Sequence, residues 1–128
     1  MKKVIVDTNI FLRYLLQDVP SQTKKAEEFL KKVKSGRISG YVPQIIIFEI
    51  AYALEKFYRF PKAKVIGGLE SILAFENLEV QDNKLLKSTI KLYQEKNVDI
   101  TDCFLIVLMA QTEGDIFTFD KKIEKLKR

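Results

Sequence analysis

The chain has 128 residues, 47% of them apolar and 30% charged, a balance that excludes a disordered polymer and predicts one globular domain spanning 1–128. Lys and Arg number 22 against 17 Asp and Glu, and the net charge of +5 suits a polyanionic partner as readily as a plain solvated surface. One cysteine and no histidine exclude a disulfide framework and a Cys/His zinc site, and no apolar run nears the roughly 18 residues of a membrane span. The N-terminus reaches Asp7 and Arg13 too soon for a secretory signal, so a reducing cytoplasm is the expected setting.

Val4-Ile5-Val6 reads as a buried strand, Lys3 to Val6, delivering Asp7 at its C-terminal end, and a short helix follows from about Ile10 to Leu16. Pro20 suits the first turn of a second helix, whose apolar residues Ala26, Phe29, Leu30 and Val33 fall at helical spacing, with Gly36 as its stop. A brief strand near Ile38 to Val42 leads to Pro43, which opens a strongly apolar helix from Gln44 to about Phe57. After Pro61 comes another helix, Lys62 to Ala74, weakened locally by Gly67-Gly68. A third strand at Leu78 to Val80 precedes a helix from Asn83 to Glu95, and Asp99 or Thr101 can cap the helix that runs to Gln111. Ile116 to Phe119 reads as a last strand that brings Asp120 to a short basic helix. Strands alternating with helices imply a parallel sheet covered on both faces, and ligands bind at the C-terminal ends of such strands.

Four acids fall where that edge should be: Asp7, Glu49, Asp102 and Asp120. Asp is a favoured helix N-cap, so Asp7, Asp102 and Asp120 taken singly are each explained by capping. Glu49 is not, because Ile45 to Leu54 is apolar on nearly every helical face and a carboxylate there is costly unless paired or metal-bound; the alternative is a narrow polar stripe with Tyr52 and Lys56. Asp102 heads Cys103 to Ala110, a run apolar all round that should be buried against the sheet, with Cys103 as a small core residue. Carboxylates gathered at one edge repel one another unless a divalent cation offsets them, and oxygen ligands alone select Mg²⁺ or Mn²⁺ over zinc. Without histidine there is no Ser-His-Asp triad or Cys-His pair, and neither Walker A nor Gly-x-Gly-x-x-Gly is present.

The opening Val-Ile-Val-Asp-Thr-Asn, the apolar helix bearing Glu49, the Asp-x-x-Asp of Asp99 to Asp102 and the closing Thr-Phe-Asp together resemble a PIN domain, over essentially the whole chain. In length and layout the chain is similar to the VapC-type ribonuclease toxins of toxin–antitoxin pairs. The resemblance implies a three-layer α/β/α fold with a parallel sheet of four strands, or five, flanked by about seven helices. It also implies a Mg²⁺- or Mn²⁺-dependent endoribonuclease acting on RNA, a homodimer, and a small VapB-type antitoxin as protein partner. The family's acidic quartet maps onto Asp7, Glu49, Asp102 and Asp120 as metal ligands and catalytic groups, with Thr8, Asn9 and Thr118 beside them; Asp99 is an extra acid for metal binding or capping. Two other readings compete. A catalytically silent PIN scaffold would bind RNA or protein without cutting, and a haloacid-dehalogenase-like phosphatase would need an acid where Asn9 stands.

Overall fold

The computed structural model describes residues 2–128. In chain order the elements are β1 (Lys3–Ile5), α1 (Thr8–Leu16), α2 (Pro20–Lys34), β2 (Ser39–Val42), α3 (Gln44–Tyr52), a π turn (Ala53–Phe57), α4 (Lys62–Leu73), β3 (Leu78–Val80), α5 (Asn83–Glu95), α6 (Ile100–Gln111) and α7 (Lys121–Leu126). The contacts divide the chain into two units, Met1–Asn83 and Lys84–Arg128.

The first unit holds the whole sheet, in the order β1-β2-β3, with both pairings parallel. Val4 is in register with Gly40, and Gly40 with Leu78. Two helical crossovers, α1–α2 and α3–α4, join the strands, as parallel pairing requires. At Gly40 a Cβ would lie 3.1 Å from both Leu78 Cδ1 and Val33 Cγ2, so the missing side chain lets α2 close on the central strand. Pro20 sits at the first position of α2, where its absent N–H costs nothing, and Gly36 (φ 82°) supplies the left-handed residue just past its end. Between them Thr23, Ala26, Leu30 and Val33 form the buried stripe, each large aliphatic contributing roughly 1.5–3 kcal/mol through burial.

The long helix predicted from Gln44 to Phe57 divides. Its α-helical part ends at Tyr52, and the last turn widens so that Tyr58 N donates to Ala53 O over 2.9 Å. Arg59 (φ 55°) and Pro61 then forbid continuation. The buried-strand expectation for residues 4–6 holds only at Val6: β1 is an edge strand, and Val4 and Ile5 are exposed, Ile5 by 68%.

In the second unit α5 buries Leu86, Thr89, Ile90 and Tyr93, and α6 packs on α7. Among the described residues the sheet has three strands, not four or five, because residues 116–119 form no ladder. Side chains take up the backbone groups there instead. Asp115 Oδ1 accepts Ile116 N (2.8 Å), Lys127 Nζ donates to Ile116 O (2.9 Å), and Thr118 Oγ1 accepts Asp120 N (3.0 Å). Phe117 and Phe119 are 91% and 92% exposed and stack edge to face, 5.6 Å between centroids. The all-round burial expected of α6 is also not found: Ile100 and Cys103 are its buried residues, and Leu105 is exposed.

Candidate metal centre

Asp7 follows β1 by two residues and stands at the N-cap of α1 with extended backbone (φ −77°, ψ 157°). Its carboxylate makes no capping bond, and among the described residues it has no hydrogen bond or ion pair. The capping explanation therefore does not account for this exposed acid. Asn9, two residues on, is likewise exposed. Thr8, between them, is buried and donates from Oγ1 to Glu49 Oε2 over 3.1 Å, so the start of α1 holds the α3 glutamate in place and leaves Oε1 open.

Glu49 itself is exposed rather than desolvated. The reason is the helix face: α3 buries Ile46, Ile47, Ile50 and Ala51, and the opposite side presents Ile45, Glu49 and Tyr52, in line with Lys56 of the π turn. The polar-stripe alternative describes this helix better than the buried-acid one.

The second unit places its three acids by a different logic. Asp120 caps α7, its Oδ1 accepting Lys122 N (2.8 Å) and Ile123 N (3.2 Å), while Thr118 Oγ1 accepts its own N–H. Because both cap bonds fall on one oxygen, Oδ2 is uncommitted. Asp99 occupies the N-cap position of α6 without a side-chain cap bond, and Asp102 lies in the first turn of the same helix. Burial lifts the Asp102 carboxyl above its ordinary value, and the like charges of Asp120 and Asp99 lift it further; the Lys122 ammonium opposes them. These three acids and Lys122 thus share one electrostatic environment. Lys122 is the residue sequence inspection overlooked, although its position two beyond Asp120 was the available signal.

Among the described residues no three carboxylate, thiol or imidazole side chains stand close enough together to hold a metal ion. The acids of each unit are nonetheless chemically suited to a divalent cation. They are hard oxygen donors, the Asp7 carboxylate and Glu49 Oε1 have no competing partner among the described residues, and Asp102 is destabilised as an anion by burial first and by its acidic neighbours next.

A model of the PIN domain matches residues 4–128. The chain belongs to the PIN domain family. PIN domains are typically nucleases and generally use a divalent metal. Over 124 residues this PIN-domain chain is 25% identical to the VapC ribonuclease of Aquifex aeolicus (strain VF5), covering 95% of its own length and 90% of the relative's. Among the described residues no helix of this PIN-domain protein is long and apolar enough to cross a membrane.

Proposed function

We propose that this PIN-domain protein is a Mg²⁺- or Mn²⁺-dependent endoribonuclease whose metal ligands are Asp7, Glu49, Asp102 and Asp120. The observation that carries it is Asp7: an acid at a helix start, expected to cap, whose carboxylate is left without a protein partner. Two further observations support the reading: Glu49 accepts a hydrogen bond from Thr8, and burial, then the charges of Asp120 and Asp99, push Asp102 toward its neutral form. The likeness to a VapC ribonuclease supports RNA as the substrate class.

In this reading Thr8 fixes the rotamer of Glu49, Thr118 fixes the backbone of Asp120, and Lys122 tempers the charge around Asp102. A bound divalent ion would supply Lewis-acid stabilisation of the phosphodiester and an activated water. The four carboxylates would hold that ion, and one of them would also accept a proton from the attacking water. The working unit is a single domain over 1–128 with the family's three-layer α/β/α arrangement. Its setting is the cytoplasm, its assembly a homodimer, and its protein partner a VapB-type antitoxin whose cationic side chains would oppose the acids.

Incubating the purified protein with single-stranded RNA and Mn²⁺ tests the core of this. Asp7→Asn, Glu49→Gln and Asp102→Asn are each expected to lose cleavage by 100-fold or more, on the order of a lost charge-stabilising contact, while melting like wild type or higher. Wild-type cleavage by all three would remove the assigned ligands. A silent scaffold is the second reading, and no Mn²⁺-dependent rise in melting temperature would favour it.

A further inference from the structure

Beside the acids of the second unit lies a pocket of about 470 Å³ whose walls are all from residues 84–128. That volume is in the range that takes a small-molecule-sized group. Four cations line it, Lys96 at the end of α5, Lys122 and Lys125 on α7, and Arg128 beyond α7. Its apolar floor is Leu92 of α5, Ile106 of α6 and Leu126 of α7. No acidic residue and no aromatic residue lines it. Among the described residues Lys122, Lys125 and Arg128 make no ion pair; the acid of α7, Glu124, turns instead to Lys127.

The pocket and the acids share parts. Lys122 lines the pocket and is also the cation whose charge acts on Asp102. Ile106 stands four residues after Asp102 on α6, on the same helical face and about 6 Å along the axis. A polyanion passing the acids therefore meets concentrated positive charge one helical turn away.

We propose that this pocket seats a nucleotide of single-stranded RNA adjacent to the scissile position, the phosphates on either side of it held by Lys122, Lys125 and Arg128 and its base laid on the aliphatic floor. The proposal rests on the endoribonuclease reading above. Without an aromatic platform the base cannot stack, so the contact is dominated by phosphate charge and tolerates any base.

The test is binding of a fluorescein-labelled single-stranded RNA of mixed sequence in EDTA, followed by anisotropy across a salt titration. Lys125→Gln/Arg128→Gln removes two phosphate contacts, so the slope of log K against log salt should fall by about 1.4, with binding about 25-fold weaker at 0.1 M. Lys125→Arg/Arg128→Lys keeps the charges and should keep the wild-type slope, as should Lys24→Gln/Lys25→Gln on the exposed surface of α2, which loses the same charge elsewhere. An unchanged slope in the pocket variant, or an equal loss in the α2 variant, overturns the assignment. So does adenosine monophosphate displacing the RNA from wild type but not from the pocket variant with the slope unaltered, which would give the pocket to a free nucleotide. Cleavage in Mn²⁺ separates the two proposals. A protein that never cuts RNA, yet loses slope in the pocket variant, retains the pocket and loses the nuclease reading. A protein that cuts, with a pocket variant that binds and cuts as wild type does, loses the pocket alone.

Discussion

Asp120 carries two duties on one carboxylate, and two substitutions separate them. Its Oδ1 accepts the amides of Lys122 and Ile123 at 2.8 and 3.2 Å, which satisfies two of the orphan donors at the start of α7, a helix of six residues with little else to nucleate it. Replacement by alanine removes both bonds, a loss of about 1 kcal/mol for an N-cap acid. Over 128 residues, at about 2.1 cal/mol/K of unfolding entropy each, that is a fall of about 4 °C in Tm. Asparagine offers an oxygen at the same place and caps about as well, so Asp120→Asn should melt within a degree or so of wild type. Both variants lose the anionic oxygen, and both should lose Mn²⁺-dependent cleavage of RNA. Thermal melts by circular dichroism and a cleavage assay on the three proteins give the answer. An alanine variant as stable as wild type would show that the two amide contacts contribute nothing, and an asparagine variant as unstable as alanine would assign the effect to charge against the helix dipole. Wild-type cleavage by Asp120→Asn would take Asp120 out of the metal set.

Asp102→Asn should stabilise the protein at pH 7. The folded state holds this carboxyl above its ordinary value of 3.8, so it binds more protons than the unfolded chain, and stability falls as pH rises through and above that value. The advantage of the variant in Tm should shrink on acidification and vanish where the acid is protonated in both states; a variant less stable than wild type at pH 7 contradicts the shift. The Asp115–Lys127 pair, 2.8 Å apart, works in the opposite sense. It holds Asp115 below its ordinary value and Lys127 above its own. Its stabilisation is therefore present between those limits, lost as pH falls through the depressed carboxyl and as pH rises through the raised ammonium. Lys127→Met should lower Tm most near neutrality and least at either extreme, and a pH-independent difference would show that the bond to Ile116 O alone matters. Gly67 lies in α4 with open space where a Cβ would be, so Gly67→Ala should raise stability by about 0.5–1 kcal/mol, read from urea midpoints. Gly40→Ala, 3.1 Å from two aliphatic side chains, should lower it instead.

Elements fixed by their own residues were readable from the sequence. Pro20 at the head of α2, Gly36 beyond its end, and the bounds of β3 and α5 all follow from local backbone preference and apolar spacing. The apolar run Ile116 to Phe119 looked the same as a strand, but a strand is defined by a neighbour, and Asp115, Thr118 and Lys127 take its polar groups first. The exposure of Glu49 depended on which face of an almost wholly apolar helix turned inward, a choice periodicity does not make when nearly every face is oily. Capping was ambiguous for a similar reason. Asp7, Asp99 and Asp120 share a residue type and a position before a helix, yet Asp120 alone of them bonds the helix amides, because that outcome is a matter of side-chain rotation rather than of sequence. The basic pocket draws on α5, α6 and α7, and spacing along the chain alone does not bring Lys96 to Arg128.

The bare start of α1 bears on how copies of this gene would age. An asparagine in place of Asp7 that bonded the helix amides would make the helix sturdier, by about 1 kcal/mol. Mutation supplies that replacement easily, so an acid that leaves those amides unserved persists only while something outside the fold demands it. Lineages in which the proposed activity has lapsed should drift to Ser, Thr or Asn at this position before they lose any core residue, and the order of those losses would date the lapse.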